Sequence, residues 1–311
     1  MNEGSINDGK TARPMLFQPL AIRGLELRNR LVVPPMVHYS CGPGNTCGTF
    51  HVVHLGRYAL GGFGLVFVEA TAVEEIGLIN ERDLGLWNDA QVESFKPLIA
   101  FMRSQGAAIG VQLAHGGRKS CSQNAMQGMG PLTEENVKSG AKIWQPVGPT
   151  AEPVAKGWLT PRQLTTAECK AMVGTWAAAA KRAVAAGFDT IEIHTAHGYL
   201  LASFLSPVSN TRNDEYGGDR AGRMRLPLQI VEAVRQEMPA SMPFLARLGG
   251  RRHAGGLEYR RYGRFCARAE AARSGCDRLL LGRHLRCGHR GSSAAQPRLP
   301  GSFCGAGSRT G

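Results

Sequence analysis

The stretch "IEIHTAHGYL" (191–200) sets two histidines three residues apart, His194 and His197, at the end of an alternating apolar run. Two imidazoles held in one turn can both donate N–H to a single oxygen, which polarises a carbonyl or nitro group. The same spacing can ligate a metal, although no third ligand stands nearby, and two histidines closing a strand can also be purely structural. Other polar or flexible side chains stand where apolar runs end: Met36, Glu69, Gln112 and Arg247. Arg247 is a fixed positive charge able to stabilise anionic density on a bound ring. Gln112 offers a donor and an acceptor, which suits the edge of a heteroaromatic cofactor. Tyr39 and Tyr199 are candidate substrate-facing hydroxyls, with a buried tyrosine bonded at its tip as the alternative.

These residues need elements to bring them together. The runs "RLVVPPM", "GLVFVEA", "AAIGVQL", "FDTIEIH" and "PFLARL" read as five strands, and most lack the polar alternation of a half-exposed sheet. Helical patterns separate them: "HVVHLGRYALGG", "NDAQVESFKPLIAFMRSQG", "CKAMVGTWAAAAKRAVAA" and "RLPLQIVEAVRQEM". Thr165 and Glu168 have the spacing of a capping box, and Gly106 and Gly187 stand where helices stop. Strand–helix alternation predicts α/β with parallel strands, either a barrel or an open sheet. No GxGxxG follows the first strand, which counts against an open dinucleotide-binding sheet. A barrel gathers its chemistry at the C-terminal strand ends, where these polar residues stand.

At 311 residues and 43 % hydrophobic, the chain suits a globular core. The start, "MNEGSINDGKTARP", has no apolar run behind it, and no later stretch has eighteen uninterrupted apolar residues. The reading is a soluble, cytoplasmic protein without a membrane partner. Eight cysteines show no CxxC pair and no zinc spacing, so reduced thiols and no metal are expected.

In order and spacing, "LFQPLAIRGLELRNRLVVPPM", "VEATAV", "GVQLAHGGRK", "IEIHTAHGYLLASFLSPVSNTRNDEYGG" and "PFLARL" resemble the old yellow enzyme family of FMN-dependent ene-reductases, in its compact bacterial branch. The resemblance covers about residues 15 to 248. It implies a (β/α)₈ TIM barrel, of which about five βα units are recognisable here, with FMN across the C-terminal mouth. It places flavin contacts on Pro34, Pro35, Met36, Val37, Ala70, Gln112 and Arg247. It makes His194 and His197 the pair that binds the substrate's activating oxygen, with Tyr39 lining the pocket and Tyr199 as the proton donor or its neighbour. The implied reaction uses NADPH or NADH to reduce FMN, after which flavin N5 passes hydride to the β-carbon of an enone-type α,β-unsaturated carbonyl or nitro compound. Relatives are often homo-oligomers. Val37 stands where the compact branch often carries a cysteine that tunes the flavin, so that modulation is not expected.

The pattern changes at Gly249. Residues 249–311 hold thirteen arginines, no lysine and three acids, so they carry ten of the net thirteen positive charges. Such a stretch can bind nucleic acid, but a GC-rich coding strand read out of frame has the same composition. Starting one base later turns codons compatible with Gly249 to Tyr259 into "AVDGTPAGWS", and codons for Cys276 to His284 into "AIDCSSGG". Both resemble the family's continuation. Residues from Gln296 onward can give "SPGYQVVFAERVR". The domain reading is therefore a polar segment 1–14, the N-terminal part of an FMN-binding barrel at 15–248, and a frameshifted stretch at 249–311. The alternative reading is a truncated family member that holds no flavin.

Overall fold

The structure, a computed structural model, describes residues 13–249. The arginine-rich stretch from residue 250, on which the frameshift reading falls, and the first twelve residues lie outside the described residues.

An antiparallel hairpin of β1 (Leu20–Ile22) and β2 (Leu25–Leu27) precedes β3 (Val32–Val33). There follow α1 (Thr49–Leu60), β4 (Leu65–Ala72), β5 (Leu84–Gly85), α2 (Asp89–Ser104) and β6 (Ala108–Ala114). A long excursion carries α3 (Glu134–Lys138) and the short parallel pair β7 (Val147–Gly148) and β8 (Arg162–Gln163). The chain then forms α4 (Thr166–Ala186), β9 (Thr190–Thr195), α5 (Leu200–Leu205), α6 (Arg220–Gln236) and β10 (Phe244–Leu248).

The five strands expected from the sequence form one parallel sheet in the order β10-β9-β6-β4-β3, with β5 paired to β4. Helices α1, α2, α4 and α6 pack on one face of it. Val66, Val68, Ile109, Val111, Ile191, Ile193 and Phe244 point into that layer, against Leu55, Phe95, Trp176, Ile230 and Val234. The other face is the interior of a half-barrel. Its floor, at the strands' N-terminal ends, is Leu65, Phe67 and Leu245 packed on Leu27. The β1–β2 hairpin, which periodicity did not reveal, closes that floor: Gly24 N donates to Ser241 O at 2.8 Å, and the Arg28 guanidinium donates to Ala59, Phe63 and Gln105 carbonyls. Phe67, 1 % exposed, is worth roughly 1.5–3 kcal/mol of burial. Gly110 makes room for it, since a Cβ there would lie 2.4 Å from the Phe67 ring.

Capping sets the helix starts as the spacing predicts. Thr165 accepts from Glu168 N, and Glu168 Oε2 accepts from Thr165 N at 2.8 Å. Asn88 and Gln91 form the same reciprocal pair at α2, and Gly187 closes α4 at φ 99°.

Candidate functional site

One layer above the hydrophobic floor, inward-facing positions become polar. Gln112 and Glu192 are paired across β6 and β9, and Arg247 is paired with His194 across β10 and β9. Side chains alternate faces along a strand, so Glu192 and His194 share the interior face, as do Leu245 and Arg247. Gln112 Nε2 donates to Glu192 Oε1 at 2.6 Å in a fully buried contact. Burial pushes the Glu192 carboxyl up to about 7, against the opposing pull of the Gln112 hydrogen bond and the Arg247 charge. Among the described residues its Oε2 has no hydrogen-bond partner. Arg247 Nη1 donates to Pro35 O at 3.3 Å, and Thr195 Oγ1 donates to Arg247 O at 2.6 Å. The Pro34–Val37 segment is thereby tied to the ends of β9 and β10. Val37 and Tyr199 pack with Ala70, Ile79 and Ala114 in a small apolar wall at the mouth, while Met36 is 41 % exposed.

His194 is buried at the end of β9, and His197 is exposed at the rim in the left-handed conformation, φ 60°. The Ala196 N–H donates to His194 Nδ1 at 3.1 Å, so neutral His194 carries its proton on Nε2. That Nε2 lies 3.1 Å from His197 Nδ1. The two rings are therefore hydrogen-bonded to each other, with His194 Nε2–H donating to the neighbouring ring nitrogen. Burial, then His197, Arg247 and Lys119, hold His194 well below the usual imidazole range. Burial, Arg247 and Lys119 push His197 the same way, less firmly because water reaches its ring. Both imidazoles are neutral donors at neutral pH.

The Tyr199 ring lies edge-on to His194, centroids 4.9 Å apart. Burial raises its hydroxyl, with Tyr39 and Asp83 next among the causes, and burial with Asp83 and Glu69 pushes Tyr39 up to about 12. Both phenols keep their protons.

Sequence reasoning missed two residues here. Glu192 stands two before His194, so period-two alternation would have found it. Lys119, in "HGGRK", carries no such signal. Its Nζ donates to His197 O at 2.6 Å and lies 5.7 Å from the Tyr199 ring centroid. The loop that delivers it is shaped by His115, whose Nδ1 accepts from Gly117 N and whose Nε2 meets Glu74 Oε1 at 2.9 Å. Gly117, φ 60°, lets this loop touch α5: a Cβ there would be 2.8 Å from Leu200 Cα and N.

Glu69 does not join the cluster. A bulge in the β4–β6 ladder between Val68 and Ala70 puts it out of step. Its Oε2 takes the His38 backbone N–H at 2.9 Å and the His38 Nδ1 at 2.5 Å, and the His38 ring packs on His54 and Phe50 of α1. The motif "SNTRNDEYGG" is a buttress: Arg212 donates to Pro149 O and Leu164 O and pairs with Asp214, while Asn210 Nδ2 bridges Phe204 O and Tyr216 O. It fixes α5, and with it Tyr199, against the β7–β8 excursion. Among the described residues no group of three His, Cys, Asp or Glu could hold a metal, and no helix is long and apolar enough to cross a membrane.

The interior edge fits a flat, uncharged-to-anionic heteroaromatic ring. It supplies an amide at Gln112, a guanidinium with further donors at Arg247, imidazole N–H groups and an apolar wall.

Comparison with known proteins gives a consistent result. The pattern of the NADH:flavin oxidoreductase / NADH oxidase family matches residues 15–251. An NADH:flavin oxidoreductase of Gibberella zeae is 40 % identical over 252 residues, 79 % of this chain and 58 % of the relative. An NADPH dehydrogenase of Clostridium acetobutylicum is 39 % identical over 241 residues, 78 % of this chain and 66 % of the relative. The chain thus spans about three-fifths to two-thirds of these relatives' length. Among solved structures, morphinone reductase in complex with tetrahydroNAD superposes with TM-score 0.71 at 28 % identity, over 85 % of this chain and 72 % of that one.

Proposed function

The chain belongs to the NADH:flavin oxidoreductase / NADH oxidase family, as its likeness to the old yellow enzymes implied, and its sheet is the matching part of their TIM barrel. On that premise we propose that it holds FMN across the C-terminal strand ends and, with NADPH or NADH as reductant, reduces the activated C=C bond of α,β-unsaturated carbonyl or nitro compounds. The observation that carries this reading is a pair of neutral imidazole donors at the end of β9 with the protonated Tyr199 phenol edge-on to them, and Tyr39, from the segment after β3, close enough to Tyr199 to help raise its hydroxyl. The names of an NADPH dehydrogenase and of a morphinone reductase bound to a nicotinamide analogue support the reductant.

Pro34 to Val37, Ala70, Gln112 and Arg247 would hold the ring, and FMN, when bound, supplies hydride at N5 after reduction by the nicotinamide. The chain's own residues do the rest. His194 and His197 exchange their mutual hydrogen bond for the substrate oxygen and stabilise the charge that grows on it in the transition state. Neutral donors suit this role, since a prior positive charge would hold the anionic product. Tyr199 Oη gives a proton to the α-carbon, and Tyr39 lines the approach. The Val37–Ala70–Ala114 wall excludes water from the oxygen.

The test is to purify the full chain, record its flavin absorbance and assay reduction of an enone such as cyclohexenone. His194→Ala with His197→Ala should abolish binding of phenol-type ligands and enone turnover while leaving any flavin in place. Unchanged turnover in the double variant would refute the assigned role. A second reading, a chain that holds no flavin, is favoured by one observation: the family match ends at residue 251, with about five of the barrel's eight βα units recognisable. A colourless protein that cannot be loaded with FMN would establish it.

A further inference from the structure

Glu192 is a carboxylate with no exposure, placed where the layer beneath carries Leu245 and Phe67. A carboxylate buried there is destabilising relative to an apolar side chain, so its presence calls for a role. Among the described residues its one hydrogen bond goes to Gln112, its direct partner across two central strands, so both side chains stand on rigid backbone. An ionised carboxylate only accepts, whereas a primary amide has one donating and one accepting end. At 2.6 Å, the end of Gln112 that faces Glu192 must therefore be the NH₂. The amide oxygen, which accepts no hydrogen bond among the described residues, is left as the free end.

We propose that Glu192 is a positioning residue that fixes the orientation of the Gln112 amide, so that this site offers a bound ring an acceptor and selects an edge bearing a ring N–H, as in the imide of an isoalloxazine. The ring part of this inference rests on the flavin reading above; the amide part does not.

Protonation provides the switch. A neutral Glu192 carries an O–H that can donate to Gln112 Oε1, so the amide can turn over and present Nε2 instead. The groups that face Glu192 are Gln112 from β6 and Arg247 from β10, with His194 two residues along its own strand. Burial outweighs both partners and brings the carboxyl to about 7, so the choice between acceptor and donor falls in the neutral range.

The amide part is tested on the full chain labelled with ¹⁵N-glutamine, without flavin. The Gln112 side-chain resonances, identified by their loss in Gln112→Leu, are followed between about pH 5 and pH 9. They should titrate in the wild type and stay flat in Glu192→Gln and Glu192→Met. Resonances that do not titrate in the wild type, or that titrate alike in the variants, overturn the proposal. The ring part is tested with riboflavin, which needs no phosphate site, by fluorescence quenching. Glu192→Met should weaken binding roughly tenfold at alkaline pH, equivalent to about 1.4 kcal/mol, and remove its pH dependence. Glu192→Gln, which keeps an acceptor oxygen, should retain most of the affinity but none of the pH dependence. Equal riboflavin binding by wild type and Glu192→Met overturns the ring part. A wild type that binds no riboflavin overturns the flavin reading together with the ring part, and the NMR titration still decides the amide. If Glu192→Met does not fold, the Glu192→Gln titration and pH profile decide both.

Discussion

Replacing Lys119 by Met should disturb the histidine pair without touching it. His197 and Gly198 are successive left-handed residues, φ 60° and 76°. For a histidine that conformation costs roughly 1–2 kcal/mol, which the surroundings must offset. Lys119 supplies the counterweight with a charge-assisted bond from Nζ to His197 O at 2.6 Å. Such bonds contribute roughly 1.5–3 kcal/mol, nearer the lower figure at a partly exposed site. Loss of the bond, with methionine filling the same volume, should therefore destabilise the chain by about 1–2 kcal/mol and lower its urea midpoint by about half a molar. The ammonium also acts at a distance, as one of the charges that hold both imidazoles down. Removing it should raise the pKa of His194 and His197, read by NMR titration of the imidazole resonances. Affinity for a phenol-type ligand should fall because the turn that aims His197 is loosened. Lys119→Arg keeps the charge but not the reach of a single ammonium, so it should restore the titrations more fully than the stability. Histidine titrations in Lys119→Met that overlay those of the wild type would refute the electrostatic part of the argument, and an unchanged urea midpoint would refute the part built on the turn.

Gly117→Ala should cost about 2–4 kcal/mol in chemical denaturation, because it combines a positive φ with a Cβ 2.8 Å from the backbone of Leu200, which cannot move without moving Tyr199. Arg212→Met leaves Asp214 unpaired and two carbonyls without their donor, and should lower stability by roughly 3–5 kcal/mol, measured by the same unfolding curve. Burial pushes His51, 1 % exposed, down from 6.5 to about 4. Its folded pKa lies below the unfolded one, so its contribution is full above pH 6.5 and is lost as the pH falls towards 4. The stability of the wild type relative to His51→Gln should fall by roughly 3 kcal/mol across that window; a pH-independent difference would show that His51 is not buried neutral.

The sequence makes the frame legible because its signals are local. An unbroken run such as "GLVFVEA" has one physical solution, a strand covered on both faces, and the Thr165–Glu168 box starts a helix wherever the rest of the chain lies. His194, Gln112 and Arg247 are legible as strand ends for the same reason. What escaped depends on register and on approach through space. The bulge that turns Glu69 towards His38 leaves no mark in "VEATAV". The closure of His194 onto His197 follows from the left-handed turn at His197, which a non-glycine residue does not announce. Lys119 reaches His197 only because Gly117 lets two loops touch. Glu192 lies within the strand pattern "FDTIEIH", where alternation gives its face but not its role, since a carboxylate on an interior face becomes meaningful only when Gln112 is found opposite it.

The change of pattern at Gly249 and the end of the family match at residue 251 coincide to within two residues. Among the described residues β3 and β10 are the two ends of the sheet, each with a single neighbour, whereas an eight-stranded barrel has no edges. A one-base shift in the coding sequence accounts for both facts, and also for thirteen arginines without a lysine. It is also compatible with the family-like continuations that a one-base shift can give at three separate places. We therefore propose that residues 249–311 are read out of frame. Sequencing the coding DNA across the codons for Leu245 to Arg252 checks this directly, and a one-base discrepancy there is the expected result. A confirmed reading frame would refute the shift. It would also strengthen the flavin-free reading, since the ring-binding residues would then stand without the remaining strands of the eight-stranded barrel.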